Sequence, residues 1–197
     1  MFKRVFDIIV SFFVLILFLP FGVLIGLLIV LESKGGVFYF QERIGKNEVP
    51  FQLFKFRTMR KNADKSGRLT VGMRDPRITR VGYFLRKYKL DEFPQFINVL
   101  IGQMSMVGPR PEVKEYTDCY TSSQKKVLAV KPGITDYASI EYFDENKLLG
   151  ESDDPKKTYI EEIMPAKIKL NKKYIENPSL RHDLKILWLT FKRIIKG

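Results

Sequence analysis

Cysteine, histidine and tryptophan each occur once in the 197 residues, as Cys119, His182 and Trp188. A single cysteine excludes an intrachain disulfide framework and a cysteine-based zinc site, and a single histidine speaks against a histidine metal site or a His-dependent triad. Chemistry in this chain must therefore come from carboxylates, arginines and lysines. Acids are the minority charge: 22 Asp and Glu against 34 Lys and Arg leave a net +12. Such an excess points to an anionic partner, whether nucleic acid, acidic lipid head groups or a phosphorylated substrate. The excess is local. Residues 55–89 hold twelve bases and two acids, Asp64 and Asp75, whereas residues 141–162 hold eight acids and three lysines.

Charge is missing altogether from residues 8–31. As a straight helix those 24 residues would reach ~36 Å, enough to cross a hydrocarbon core of ~30 Å. The run is too long for a signal peptide, and no small-residue cleavage pattern follows it. Pro20 sits at its middle, where it removes one helical donor and clashes with the carbonyl of Ile16. Both flanks are basic, with Lys3 and Arg4 before the run and Lys34, Arg43 and Lys46 after it. The positive-inside tendency thus draws both ends to the cytoplasm. A crossing helix and a re-entrant helix that bends at Pro20 both remain open on these grounds.

The remainder reads as α+β and mainly helical. Residues 37–42 and 51–57 are aromatic-rich strand candidates joined by a Gly45-Lys46-Asn47 loop, hence a β-hairpin. Residues 61–75, polar and containing Gly67 and Gly72, read as a mobile loop. Helical patterns follow at 78–88 and 93–100, and again at 154–174 with an interruption near Pro165. Residues 181–196 place Leu184, Leu187, Trp188, Phe191, Ile194 and Ile195 at helical spacing among lysines and arginines. A basic amphipathic helix with a tryptophan suits a membrane surface.

The segment from Arg86 to Gln95 carries the sharpest chemical signal. Phe93, Phe96, Ile97 and Leu100 mark a core-facing helix, and Pro94 is tolerated only in a first turn, so the helix starts at about Leu90 or Asp91. Asp91 could serve there as an N-cap and Glu92 as a dipole-compensating acid. The same place attracts phosphate, and Arg86 adds a planar fork one turn upstream. A carboxylate held there can attack phosphorus, and two adjacent acids can offer oxygens to Mg²⁺. Arg110, fixed between Pro109 and Pro111, is a second phosphate candidate, although it could simply pair with Glu112. Lys55 and Arg57 alternate on the second hairpin strand and would share a face, as further candidates to bind substrate phosphate, although such residues are usually solvated edge charges.

Taken in order, these segments resemble the bacterial sugar transferases, the small monotopic phosphoglycosyl transferases. The resemblance rests on Lys3-Arg4-Val5-Phe6-Asp7, Phe38-Tyr39-Phe40-Gln41-Glu42-Arg43-Ile44-Gly45, Phe54-Lys55-Phe56-Arg57-Thr58-Met59, and Leu90-Asp91-Glu92-Phe93-Pro94-Gln95 with Asn98-Val99-Leu100. It continues through Gly102-Gln103-Met104-Ser105-Met106-Val107-Gly108-Pro109-Arg110-Pro111 and ends at Lys131-Pro132-Gly133-Ile134-Thr135.

The resemblance implies a re-entrant helix over residues 1–34, broken at Pro20, and a catalytic domain over residues 35–197 on the cytoplasmic face of the inner membrane. It implies a Mg²⁺-dependent ping-pong transfer of a phosphosugar from a UDP-sugar to undecaprenyl phosphate. Asp91 would be the nucleophile, Glu92 its metal-binding or proton-accepting neighbour, and Arg86 and Arg110 phosphate ligands. Two positions depart from the family pattern: Leu19, not serine, precedes Pro20, and Phe143-Asp144-Glu145 stands where some members carry an arginine.

Two rivals can be weighed on the residues alone. A membrane-tethered adaptor for anionic lipids or nucleic acid gives no reason for Asp91-Glu92 inside the most basic stretch, and nucleic acid is not expected as a partner. A glycosyltransferase using Asp153-Asp154 as its metal site must explain why that pair stands beside Pro155, where a helix start is expected.

Overall fold

The computed structural model describes residues 2–61, 63 and 75–196, with Asn146 described by its backbone alone. Most of the expected loop at 61–75 therefore lies outside the described residues. The fold is α+β and mostly helical. It opens with α1 (Phe2–Glu32), followed by the hairpin strands β1 (Phe38–Ile44) and β2 (Pro50–Phe56). Next come α2 (Arg80–Lys87), a 3₁₀ turn at Leu90–Glu92, α3 (Gln95–Leu100) and β3 (Ser105–Val107). The second half comprises α4 (Lys114–Thr117), β4 (Gly133–Thr135), α5 (Tyr137–Glu141), α6 (Glu145–Gly150), α7 (Pro155–Thr158), α8 (Met164–Glu176) and α9 (Leu180–Lys196).

α1 is apolar and long enough to cross a membrane by length and composition, and most of its surface is uncovered. Helical conformation carries through Pro20, so the ring costs the hydrogen bond to Ile16 without ending the helix. The covered spots lie along its whole length. Near the start, Lys3 pairs with Asp183, Arg4 donates to the carbonyls of Val99 and Leu100 that end α3, and Asp7 accepts from Ser105 Oγ and the Met106 N–H. At mid-helix, Phe18 stacks on Phe93 at 3.8 Å, with Phe56 at 6.4 Å. At the far end, the Glu32 carboxylate accepts from the N–H groups of Arg80 and Val81, satisfying free donors at the start of α2. Both ends and the middle of α1 thus rest on one globular unit.

The hairpin pairs antiparallel with Phe38 opposite Phe56 and Ile44 opposite Pro50, within two residues of the expected bounds. Residues Phe51 and Leu53 point into a core shared with Val99, Met104, Met106 and Ile186. The fully buried Asn98 fixes the hairpin to α3: its Oδ1 accepts from Phe54 N–H at 3.0 Å, and its Nδ2 donates to Gln52 O and Gln103 Oε1 at 2.7 Å.

A parallel pair, β3 with β4, was not expected from the sequence. Each strand has only three residues, too few for a readable period. The close approach explains two glycines: a Cβ on Gly133 would stand 2.1 Å from the Gly108 nitrogen. The interruption expected near Pro165 falls earlier, as a π-helical turn at Tyr159–Ile163, while α8 begins at Met164 with Pro165 harmless in its first turn. Asp154 does start a helix, accepting from Lys157 N–H at the head of α7, so its carboxylate serves as a cap. α9 covers the core through Ile186 and leaves Leu184, Trp188, Phe191 and Ile195 exposed along the opposite stripe.

Candidate active site

Asp91 does not cap α3. The chain leaves α2 through Lys89 in the left-handed region (φ 56°, ψ 21°), makes the tight Leu90–Glu92 turn, and enters α3 only after Pro94. The Asp91 side chain is consequently free of capping duty and is buried to 8% exposure. No side chain among the described residues donates a hydrogen bond to its carboxylate. Burial pushes its carboxyl above the usual aspartate value and the neighbouring Glu92 charge pushes it further, against the pull of Lys55 and Arg86.

Glu92 is the opposite case. Burial alone would raise its carboxyl, yet Arg110 and Lys55 together hold it well below the ordinary range. Arg110 forks onto it, Nη1 meeting Oε2 at 3.0 Å and Nη2 meeting Oε1, while Lys55 Nζ lies 3.3 Å from Oε1. Adjacent carboxylates are thereby driven in opposite directions, one saturated by cations and one left open.

The arms that hold these cations are themselves braced. Arg110 follows β3, and its N–H donates to Asp136 Oδ2 at 3.0 Å. Asp136 is fully buried and also caps α5 through Ser139 N–H, so one side chain ties the Gly108–Pro111 loop to that helix. Arg43 secures the next residue, donating to Pro111 O at 3.1 Å and pairing with Glu112. Glu112 does not pair with Arg110; it is taken by Arg43, Lys167 and the Tyr159 hydroxyl. Arg86 donates through Nε to Thr58 Oγ1 at 2.9 Å.

Asp91, Glu92, Lys55, Arg86 and Arg110 therefore form one cluster. Arg57 stands apart: its guanidinium donates to Ser33 O at 2.7 Å and Lys34 O at 3.0 Å. It closes the end of α1 instead of facing phosphate. Strand alternation put Lys55 and Arg57 on one face, but β2 ends at Phe56, so the parity no longer binds the next side chain. Reading the residues missed the supporting roles of Asp136, Arg43 and Thr58. An aspartate followed by a short helix is a legible cap signal; the other two reveal themselves only through long-range packing.

Among the described residues there is no cluster of three or more Asp, Glu, His or Cys suited to a metal ion. The open oxygens of Asp91 fit a cation that takes its remaining ligands from substrate phosphates, which is how Mg²⁺ is commonly held. Glu92 fits that task poorly while both of its oxygens are occupied.

The arrangement is a buried carboxylate with no side-chain hydrogen-bond donor, drawn on by nearby cations and lying on a unit that carries a long apolar helix. The chain belongs to the bacterial sugar transferase family, whose model matches residues 1–197. It is 42% identical over its full length to the UDP-glucose:undecaprenyl-phosphate glucose-1-phosphate transferase of Klebsiella pneumoniae, covering 40% of that protein. It is 36% identical, over 99% of its length, to the UDP-N-acetylgalactosamine-undecaprenyl-phosphate N-acetylgalactosaminephosphotransferase of Aeromonas hydrophila, covering 44% of it. The sugar transferase EpsL of Bacillus subtilis is 35% identical and is covered over 87% of its length. The chain thus spans less than half of the first two relatives.

Proposed function

We propose that this chain transfers a sugar phosphate from a UDP-sugar to undecaprenyl phosphate and releases UMP. The observation that carries the reading is the pairing of an open, buried Asp91 with a cation-saturated Glu92. In the first half-reaction an Asp91 oxygen attacks the phosphorus that bears the sugar. The bond from that phosphorus to the bridging oxygen breaks, and UMP leaves with the electron pair. In the second, a phosphate oxygen of undecaprenyl phosphate attacks the same phosphorus, and the Asp91 carboxylate is expelled unchanged. Arg110 and Lys55, held on Glu92, present their remaining donors where charge develops. Glu92 acts as the hub of that ion pair; a carboxyl held so far down is a weak proton acceptor at neutral pH. Mg²⁺, bound by Asp91 and substrate phosphates, would supply neutralisation of the diphosphate charge.

The test is turnover itself. Membranes holding the chain are given Mg²⁺, undecaprenyl phosphate and a panel of UDP-sugars. UMP is the expected nucleotide product with at least one sugar. UDP would mean glycosyl transfer, and silence across the panel would sink the enzyme reading.

The same proposal puts α1 in the inner membrane as a re-entrant helix, in contact with anionic lipid, with the catalytic domain on the cytoplasmic side. What supports it is contact along the whole of α1: a perpendicular crossing would carry Phe93, stacked on mid-helix Phe18, to the bilayer centre and the Asp91 turn with it. Cysteines placed at Lys3 and Lys34 are expected to react with impermeant reagent from the cytoplasmic side only. Labelling of either from the periplasm would overturn this arrangement.

A further inference from the structure

Lys89 is a cation beside the dyad that the scheme above leaves without a task. Its ammonium lies 5.0 Å from the centroid of the Phe143 ring, and the guanidinium of Arg193 lies 4.9 Å from the same centroid. Arg193 also donates to Asp144 at 2.9 Å, tying the segment before α6 to α9. Among the described residues no carboxylate or carbonyl takes a hydrogen bond from the Lys89 ammonium. Its charge nonetheless reaches both Asp91 and Glu92, drawing each carboxyl downward.

The manner of holding matters chemically. A carboxylate partner consumes N–H donors, as Glu92 does those of Arg110 and Lys55. An aromatic face attracts the whole cation, weakly enough (~0.5–2 kcal/mol) to release it, and leaves its three donors unspent. A sugar diphosphate brings at least two negative charges to a site whose nearest cations already answer Glu92. The left-handed turn at Lys89 roots its side chain immediately before the Leu90–Glu92 turn that carries the dyad.

We propose that Lys89 is a further phosphate-binding residue, parked on Phe143 in the free protein and transferred to a non-bridging phosphoryl oxygen when substrate arrives. This rests on the phosphosugar-transfer reading and deepens it. The phosphoryl oxygen could belong to the UDP-sugar or to the polyprenyl phosphate, and the measurements separate the two.

The full chain in lipid nanodiscs is assayed as wild type, Lys89→Gln, Lys89→Arg, Phe143→Leu and Phe143→Tyr. KM is measured for each substrate in turn, and UMP affinity by calorimetry. Lys89→Gln is expected to raise one KM by about 10- to 100-fold, the range for a lost charge-assisted hydrogen bond, with Lys89→Arg recovering most of it. Phe143→Leu removes a contact made only in the free protein and lowers the same KM by about two- to fivefold, and Phe143→Tyr, which keeps the π face, returns it to the wild-type value. A rise confined to the UDP-sugar, with weaker UMP binding, assigns the oxygen to the donor; a rise confined to undecaprenyl phosphate assigns it to the acceptor. Both KM values and the UMP affinity within twofold of wild type in Lys89→Gln would overturn the proposal while leaving the transfer reaction intact. Should wild type turn over no sugar nucleotide, the reaction assignment fails, and calorimetry of UMP and of undecaprenyl phosphate, each compared between wild type and Lys89→Gln, still decides the role of Lys89.

Discussion

Asp91→Asn abolishes turnover, with kcat expected to fall by at least ~10⁴-fold, because an amide cannot form the acyl phosphate and the steps that follow have nothing to act on. UMP release in the absence of acceptor vanishes as well. The same variant is expected to melt at a higher temperature at pH 7. The sign follows from the direction of the shift. The native carboxyl of Asp91 sits above the ordinary value of 3.8, so in the interval between them the folded protein holds a proton that the unfolded chain has lost. Stability therefore drops as pH rises above 3.8 towards the native value, and that loss bears on the fold at pH 7. Asparagine has no such charge to bury. The acid limb of the wild-type kcat/KM profile should correspondingly lie above pH 3.8, since the nucleophile must be ionised. A variant that keeps wild-type turnover, or one that melts lower at pH 7 than wild type, would contradict this description of the site.

The second large effect concerns Arg110. Arg110→Ala removes the fork from Glu92 and leaves Lys55 alone to balance a charge whose side chain keeps 16% of its surface. The Arg110 side chain retains 31% of its own, so the expected loss is about 2–3 kcal/mol, below the ~3–5 kcal/mol of a fully buried pair. Denaturant titration measures it. Activity should fall by ~10²–10³-fold, in the range for losing one donor aimed at developing charge. Adding Glu92→Gln to Arg110→Ala should return most of the stability and little of the activity. The linkage of Glu92 runs opposite to that of Asp91. Its depressed carboxyl contributes stability above the ordinary 4.5 that is lost as pH falls towards the native value, and Arg110→Ala should shrink that acid-side loss. Equal activity recovery in the double variant would show that the ion pair, and not the guanidinium, is what the reaction needs.

Much of this architecture is legible in the residues because its signals are local. Absence of charge over 8–31 marks α1, aromatic alternation marks the hairpin, and the stripe from Leu184 to Ile195 marks α9. The site was legible to the extent that adjacency is informative: Asp91 and Glu92 stand together inside a basic stretch. Which acid is open and which is saturated was not, because that depends on Arg110 arriving from a loop 18 residues away and Lys55 from a strand 37 residues back. Asp91 looked like a cap because Pro94 permits a helix start nearby, yet the left-handed Lys89 inserts a 3₁₀ turn first. The β3–β4 pair escaped notice because two tripeptides carry no period and their contact is a matter of two glycines fitting back to back.

Lys3 and Asp183 meet across 180 positions of chain. Synthesis makes α1 before any of these polar partners: Ser105 and Met106 come later, and Asp183 later still. Lys3 and Asp7 therefore wait unmatched, and the final seat of α1 is settled only when α9 closes over it. A chain arrested before α9 would keep its apolar helix with that fastening undone.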